Sequence, residues 1–315
     1  MKVAITGVSG YLGRLIVSVL GADPAVNSIL GLDIVSPNID SPKFSFQYAD
    51  VRSANFKELL QGIDVVYHLA FIVEPPKRMS ITTIDEINID GSKRLFEGAS
   101  AAGVSKLIYS SSVAAYGAHS DNADGLTEDS PLRPNEDWYY SRAKGRIEFY
   151  LNEFEKMHPE IIVIRFRPSI FLGPTINNSF RTFFSNRWIL CLKDNIKLDL
   201  CWDQDIAEAF RLALHYNRSD IFNLTGGDPV TTEEIGAVLG KKVLHLNHKF
   251  VTVSLKIAHF LGMLSKPSLE WITVGLRGPI TVSAQKAQER LSWKPRFSTK
   301  EALLEYYRQC NLLQG

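Results

Sequence analysis

Cysteine is scarce in this chain. Cys191, Cys201 and Cys310 are the only three in 315 residues. That number is odd and the spacing is wide, which excludes a disulfide framework and a cysteine-rich metal centre. They are expected as buried or free thiols in a reducing compartment. An excess of one charge is also missing. Lys and Arg total 35 against 34 Asp and Glu, a net charge of +1. Such a balance offers no field for nucleic acid or an acidic membrane, so neither is expected as a partner. Long apolar runs are absent too. The most apolar late segment, residues 243–264, is interrupted by His245, Asn247, His248, Lys249, Lys256 and His259. It is too polar to span a bilayer and is expected as a partly buried helix with its flanks. No leader is visible: Met1-Lys2 runs straight into VAIT, and a cytoplasmic protein is expected. No internal repeat or low-complexity tract stands out.

What is present is an ordinary globular composition, 45% hydrophobic and 22% charged. The length exceeds a usual single domain and calls for an attached lobe or a second domain. Short apolar runs at 2–6, 28–33, 45–49, 65–69 and 106–110 alternate with helical patterns at 11–20, 54–60, 84–102 and 138–157. Near-continuous apolar strands alternating with helices predict a parallel sheet covered on both faces. A further strand at 161–165, a helix at 205–215 and a strand at 220–224 are expected to complete it. Residues 168–200 look irregular, with turn signals at Gly173-Pro174 and Asn177-Asn178. The expected fold is therefore α/β: a doubly wound Rossmann sheet with a smaller C-terminal substrate-binding lobe. The dinucleotide-binding unit spans 1–166 plus about 202–225, and the lobe spans about 167–201 plus 226–315. Ligands of open α/β sheets bind along the carboxyl edge of the strands.

At that edge lies Gly7-x-x-Gly10-x-x-Gly13, between an apolar strand and an apolar helix. Glycines there permit a tight turn, a close backbone approach to a pyrophosphate and close helix–strand packing. The helix from Tyr11 points free N–H groups and its positive dipole end at the phosphates. Asp33 ends the second strand about twenty residues later. A carboxylate in that place accepts ribose hydroxyls and repels a 2′-phosphate, which favours NAD over NADP. Asp33 as a turn or cap residue is the plainer alternative.

Tyr140 and Lys144 stand four apart in the helical pattern WYYSRAKGRIEFYLNEF, so they share a face. A free tyrosine titrates near about 10, too high for a base at neutral pH. A neighbouring ammonium and an oxidised nicotinamide stabilise phenolate. A fall of ~3 pH units corresponds to ~4 kcal/mol. Phenolate then accepts the proton of a substrate alcohol. Tyr139 competes with Tyr140, but only Tyr140 has a lysine four residues on. Ser110, Ser111 and Ser112 compete at the end of the fifth strand for the substrate oxygen, and one of them can simply bond backbone.

With these motifs together the chain resembles an extended short-chain dehydrogenase/reductase, of the NAD-dependent epimerase/dehydratase type. The likeness runs through TGVSGYLG (6–13), ADVR (49–52), YHLA (67–70), NIDGSKRLFEGA (88–99), YSSSVAAYG (109–117), YSRAK (140–144) and RPSIFLGP (167–174). It continues in DIAEAFRLAL (205–214), FNLTGGDPVT (222–231) and LSWKPRFST (291–299). The resemblance implies Ser112, Tyr140 and Lys144 as the catalytic set. It implies cofactor contacts from Gly7, Gly10, Tyr11, Leu12, Gly13, Asp33, Asp50, Val51, Leu69, Ala70, Phe71, Asn88, Ser110, Tyr140, Lys144, Pro168 and Ile170. The histidines form no metal pattern, since His245 and His248 lack nearby cysteine or acidic ligands, and His68 in the YHLA strand is expected as a packed residue under the cofactor. The resemblance also implies a homodimer packed through the helices at 84–102 and 138–157.

The likeness leaves the substrate open among three readings. A nucleotide sugar is what the type commonly takes, in epimerisation or dehydration. Against it, Ile170 stands where such members often carry Asn, and 196–204 holds Lys197 but no arginine. Arg181, Arg187 and Arg277 are the remaining candidates for a phosphate. The insert carries Phe180, Phe183, Phe184, Trp188 and Trp202, either as core or as the lining of an apolar pocket. The second reading is therefore a dehydrogenase or reductase of a more apolar alcohol or ketone. A non-catalytic dinucleotide-binding scaffold is the third.

Overall fold

The computed structural model describes residues 1–74, 76, 79–176, 184, 186–191, 196–260, 270, 273 and 277–310. Seven strands form its central sheet. In chain order they are β1 (Lys2–Thr6), β2 (Ser28–Asp33), β3 (Phe44–Tyr48), β4 (Val65–His68), β5 (Lys106–Ser110), β6 (Ile162–Pro168) and β11 (Asp220–Leu224). Their spatial order is β11-β6-β5-β4-β1-β2-β3, and every pair is parallel. The chain lays β1, β2 and β3 outward in one direction, then returns beside β1 with β4 and proceeds the other way. The reversal between β1 and β4 opens a crevice at their carboxyl ends.

Why these segments are strands is visible in their burial. Val3, Ala4 and Ile5 are inaccessible to solvent, as are Val66, Tyr67 and Ile108. Apolar side chains facing both ways require cover on both faces. One face carries α1 (Tyr11–Ala22) and the helix Asp203–His215, over Val3, Ile5, Ile16, Leu20, Phe166 and Phe210. The other carries α4 (Gly91–Ala101) and α5 (Tyr139–Met157), over Ala4, Val66, Leu95, Phe96, Leu107, Ile147 and Leu151.

Three expected elements differ. The strand expected at 45–49 lies one residue earlier, as Phe44–Tyr48, an edge strand with no fully buried residue. The single helix expected at 84–102 is broken into α3 (Ile81–Asp85), a π turn (Glu86–Asp90) and α4. Residues 168–200 are less irregular than expected. They contain β7 (Ile170–Leu172), β8 (Trp188–Cys191) and β9 (Lys197–Leu198). These pair with β10 (Leu200–Trp202), β13 (Lys242–His245) and β12 (Val230–Thr231), respectively. A separate core beneath them gathers Leu172, Phe184, Ile189, Trp202, Ile235, Leu303 and Tyr306. Phe184 and Trp202 are thus core residues, while Trp188 is 47% exposed. Phe180, Arg181 and Phe183 lie outside the described residues.

Candidate active site

The turn after β1 is shaped by what it cannot accommodate. Gly7 has φ +70°, and a Cβ there would sit 2.6 Å from the Ala70 nitrogen. A Cβ on Gly13 would meet the Gly7 carbonyl oxygen at 2.5 Å. Only hydrogen in both places lets the turn close and α1 approach it. Gly10 caps α1 without a side-chain hydrogen bond, so the first N–H groups of the helix have no side-chain acceptor at the cap. Asp33 Oδ2 accepts from the Ser9 N–H at 3.0 Å, and Oδ1 accepts from the Ile34 N–H at 2.7 Å. The carboxylate is therefore held at the rim of the glycine turn. Asp50 lies farther out, where Arg52 grips both its oxygens at 2.6–3.1 Å. That guanidinium, over the cost of burial, lowers the Asp50 pKa. Val51 is buried against Gly91.

The loop after β4 is pinned from two sides. Asn88, inside the π turn, accepts from the Ile72 N–H at 2.8 Å and donates to the Ile72 carbonyl at 3.1 Å. A π turn widens the helix by one residue, a distortion frequent at functional sites. Beneath the loop, the Leu69 and Ala70 N–H groups reach Thr6 Oγ1 at 3.3 and 3.4 Å. Thr6 bonds His68 Nδ1 at 2.7 Å, and His68 Nε2 bonds Ser92 Oγ at 2.8 Å. Ser92 in turn donates to the Asn88 carbonyl. Only one proton arrangement satisfies the chain: Nδ1 accepts and Nε2–H donates. Burial, then the Lys144 charge, drive the His68 pKa down to about 3, which keeps that ring neutral. His68 is a buried strut beneath the loop.

The loop carries Phe71 onto Lys144, whose Nζ lies 3.7 Å from the ring centroid. Lys144 is 3% exposed and donates to the Ser110 carbonyl at 2.7 Å. Burial drags its pKa down to about 7, with the Glu148 carboxylate opposing. Tyr140, one helical turn earlier, packs edge-on against Phe71 at 5.5 Å. Ser112 hydrogen-bonds the Tyr140 hydroxyl. The Ser112 oxygen also accepts from the Ala114 N–H at 3.1 Å. The competing tyrosines and serines have different surroundings. The Tyr139 hydroxyl is tied to the Val73 carbonyl, and Tyr139 is fully buried. Ser110 offers its carbonyl to Lys144, Ser111 is buried away from the cavity, and Ser112 lines it. Burial pushes the Tyr140 pKa up to about 12, with the Ser112 hydrogen bond opposing.

Tyr140 and Ser112 open onto a cavity of about 440 Å³. Val113, Ala114, Trp138, Ile170, Phe171, Ile176, Ile196, Leu198 and Ile280 make most of its wall. Tyr11 faces it, stacked on Phe171 at 6.2 Å and donating to Asp203. Asp199 and Ser169 add polar atoms. Asp199 is held by Thr225 and the Val282 N–H at 2.7 and 2.8 Å, and burial raises its pKa to about 6. The Ser169 hydroxyl is buried without a hydrogen-bond partner among the described residues. Among the described lining residues the only cation is Lys197, paired with Asp124. Arg277 is bidentate to Asp137, and Arg187 lies over Trp188. Leu12 follows Tyr11 in α1, and Pro168 ends β6 beside Leu224.

Sequence reasoning missed three groups. Glu148 on α5 is fully buried and binds Arg165 at 3.0 Å and Arg167 at 2.9 Å. Two arginines inside the apolar strand IVIRFRP were the available signal. Asp203 meets Tyr11 across 192 residues, and no local pattern announces it. His245 does have ligand-type neighbours, contrary to expectation. It pairs with Glu233 at 2.7 Å, and Cys191 lies with them, the three ligand atoms within 4.8 Å of one another. Pairing of β8 with β13 brings Cys191 beside His245. Glu233 and His245 are both exposed. The His248 side chain lies outside the described set.

Comparison with known proteins agrees with this architecture. The profile of the NAD dependent epimerase/dehydratase family matches residues 3–224. A 3-beta-hydroxysteroid dehydrogenase of Mycolicibacterium neoaurum is 24% identical over 96% of this chain and 90% of its own length. A UDP-glucose 4-epimerase of Mycolicibacterium smegmatis is 31% identical over 50% of this chain and 52% of its own. In structure, the UDP-glucuronic acid 4-epimerase of Bacillus cereus in complex with NAD superposes with a TM-score of 0.76 at 20% identity, covering the whole of both chains.

Proposed function

The chain belongs to the NAD-dependent epimerase/dehydratase family, and from that premise we propose that it oxidises or reduces a secondary carbinol carbon at Tyr140. The carrying observation is the Tyr140 hydroxyl, hydrogen-bonded by Ser112, at the wall of an apolar cavity with Lys144 behind it. The cradle fits a dinucleotide. The Gly7 and Gly13 positions leave no room for a side chain, α1 begins without a side-chain cap, and Asp33 stands at the rim. Gly7, Gly10, Tyr11, Leu12, Gly13 and Asp33 would hold the pyrophosphate and ribose end, with Asp50 and Val51 near the adenine. Leu69–Phe71, Asn88, Ser110, Lys144, Pro168 and Ile170 would hold the other end. When bound, NAD supplies a hydride acceptor or donor for the substrate carbon.

Within that frame Ser112 holds the substrate oxygen and Tyr140 takes or returns its proton. Lys144, released from Phe71 and Ser110 toward a ribose, stabilises the phenolate that forms. Asp33 sets the cofactor choice. Asp33→Ser is expected to weaken NAD binding and to narrow the NAD-to-NADP preference ~10-fold or more, read by calorimetry on each dinucleotide. An unchanged preference removes Asp33 from that role.

For the substrate, the cavity supports an apolar alcohol or ketone. A diphosphate requires cations, and among the described lining residues the one cation, Lys197, is already paired with Asp124. The relative matched along 96% of this chain is named for a hydroxysteroid. The second reading, epimerisation or dehydration of a nucleotide sugar, is supported by the UDP-glucose 4-epimerase relative. A single assay separates them. Purified protein with NAD and a panel of alicyclic secondary alcohols is expected to form NADH stoichiometrically. Interconversion of a UDP-sugar with no net NADH would move the assignment to the second reading.

A division into a dinucleotide unit (1–166 plus about 202–225) and a substrate lobe is part of the proposal, supported by the separate core around Trp202 and Tyr306. So is a homodimer through α4 and α5, supported by exposed Phe149 and Met157 on α5.

A further inference from the structure

We propose that the helix His248–Phe260 docks on the surface of an anionic lipid bilayer, lying in the headgroup plane. Phe250, Val253, Ile257 and Phe260 are 73%, 56%, 54% and 89% exposed. Their spacing of three, four and three residues puts them on one helical face. Scattered apolar residues on a surface are ordinary, but a row of four large ones along a single face marks an interaction site. Leu246, just before the helix, is exposed as well. Trp188 and Leu190 project from β8, which pairs with the strand leading into it. Val251 and Leu255, on the opposite side, are only partly exposed.

Charge selects the occupant. From Ile235 to Leu269 the sequence has five lysines and no Asp or Glu, in a chain whose totals are 35 basic and 34 acidic. Lys242 and Lys256 are exposed. A second copy related by two-fold symmetry would bring the exposed Lys242 and Lys256 against the same face of its partner, which supplies no carboxylate from 235–269 to answer them. Anionic headgroups answer the cations while the acyl boundary takes the aromatic and aliphatic row. Among the described residues no helix is long and apolar enough to cross a membrane. This one, of 13 residues, is amphipathic, which suits the interface rather than the interior. The whole-chain net charge averages the segregation away, and composition therefore pointed away from membranes. The proposal does not rest on the substrate reading.

The test uses the full chain and vesicles of phosphatidylcholine alone or mixed with phosphatidylglycerol, read by co-sedimentation. The expected result is binding to the mixed vesicles ~10-fold or more above phosphatidylcholine alone, falling with added salt. Phe250→Asp is expected to lower it ~10-fold or more, and Lys256→Gln by roughly 5-fold. Both variants should keep the wild-type thermal midpoint and NAD affinity. Phe260→Ser, at the most exposed position, serves if Phe250→Asp does not fold. Absence of binding to the mixed vesicles overturns the proposal, as does binding indifferent to Phe250 and Phe260. A concentration-dependent dimer that Phe250→Asp dissolves also overturns it, by assigning the row to a second copy.

Discussion

Tyr140→Phe is expected to cut turnover ~10³-fold, about 4 kcal/mol of transition-state stabilisation, while leaving NAD affinity within roughly 3-fold. The substitution removes one oxygen and keeps the ring. The packing of that ring against Phe71 at 5.5 Å and Trp138 at 5.7 Å is therefore retained. What disappears is the only group in the cavity that both meets Ser112 and sits one helical turn from Lys144. Stopped-flow measurement of NADH formation reads the loss, and calorimetry reads cofactor binding. Turnover at the wild-type level would end the proposed acid/base role. The pH profile carries a second check. Burial pushes the phenol pKa up to about 12 and draws the Lys144 pKa down to about 7. The active base form must therefore be made on binding, when positive charge enters the site. Activity in the oxidation direction should rise with pH. Lys144→Met should move that rise to higher pH, because it deletes the cation nearest the phenol.

The two tiers of legibility here have a physical origin. Strands buried on both faces announce themselves as apolar runs, and β1, β2 and β5 occupy the residues the sequence assigns them. β3 has no buried residue, so FSFQY carries no clear phase and its bounds lie one residue earlier than expected. The glycine turn and the Tyr140–Lys144 pair were legible for a different reason. Each constraint is local: a backbone turn of seven residues, and two side chains on one helical face. The break of the helix at 84–102 was not legible. Its cause is the bond between Asn88 and Ile72, sixteen residues away, and the helical pattern on either side is intact. The same holds for Tyr11 and Asp203. The sequence names the residue types of a site, but tertiary distance decides which polar atoms find each other. The exposed row on His248–Phe260 shows the converse case. Its apolar periodicity was visible and was assigned to burial, although periodicity fixes which residues share a face and not what covers that face.

Removing the carboxylate of Glu148 is expected to have the largest effect on stability. Glu148 lies one turn beyond Lys144 on α5, at 0% exposure, between Arg165 and Arg167. Arg167 binds both its oxygens at 2.9 Å and also donates to the Tyr116 hydroxyl at 2.8 Å. Burial alone would raise the Glu148 pKa, but Arg167 and then Arg165 outweigh it and hold it down at about 2. Glu148→Ala leaves two buried guanidinium groups short of their counter-ion. The expected cost is ~3–5 kcal/mol, a drop of roughly 5–8 °C in the thermal midpoint for a chain of this size. Glu148→Gln keeps the shape and should retain part of that. The pH dependence follows from the depressed pKa. The folded carboxyl titrates below its unfolded counterpart, so the contribution is complete above the ordinary glutamate range. It fades as pH falls from there toward about 2. A thermal-denaturation series over that interval should show wild type losing stability more steeply than Glu148→Gln. Parallel curves would show that the ion pair carries no net stability. The same substitution reaches the active site, since the Glu148 charge opposes the burial that lowers the Lys144 pKa. With the charge gone, the ammonium is depleted at neutral pH. Turnover of Glu148→Gln should then be recovered at lower pH, a shift that loss of packing alone would not produce.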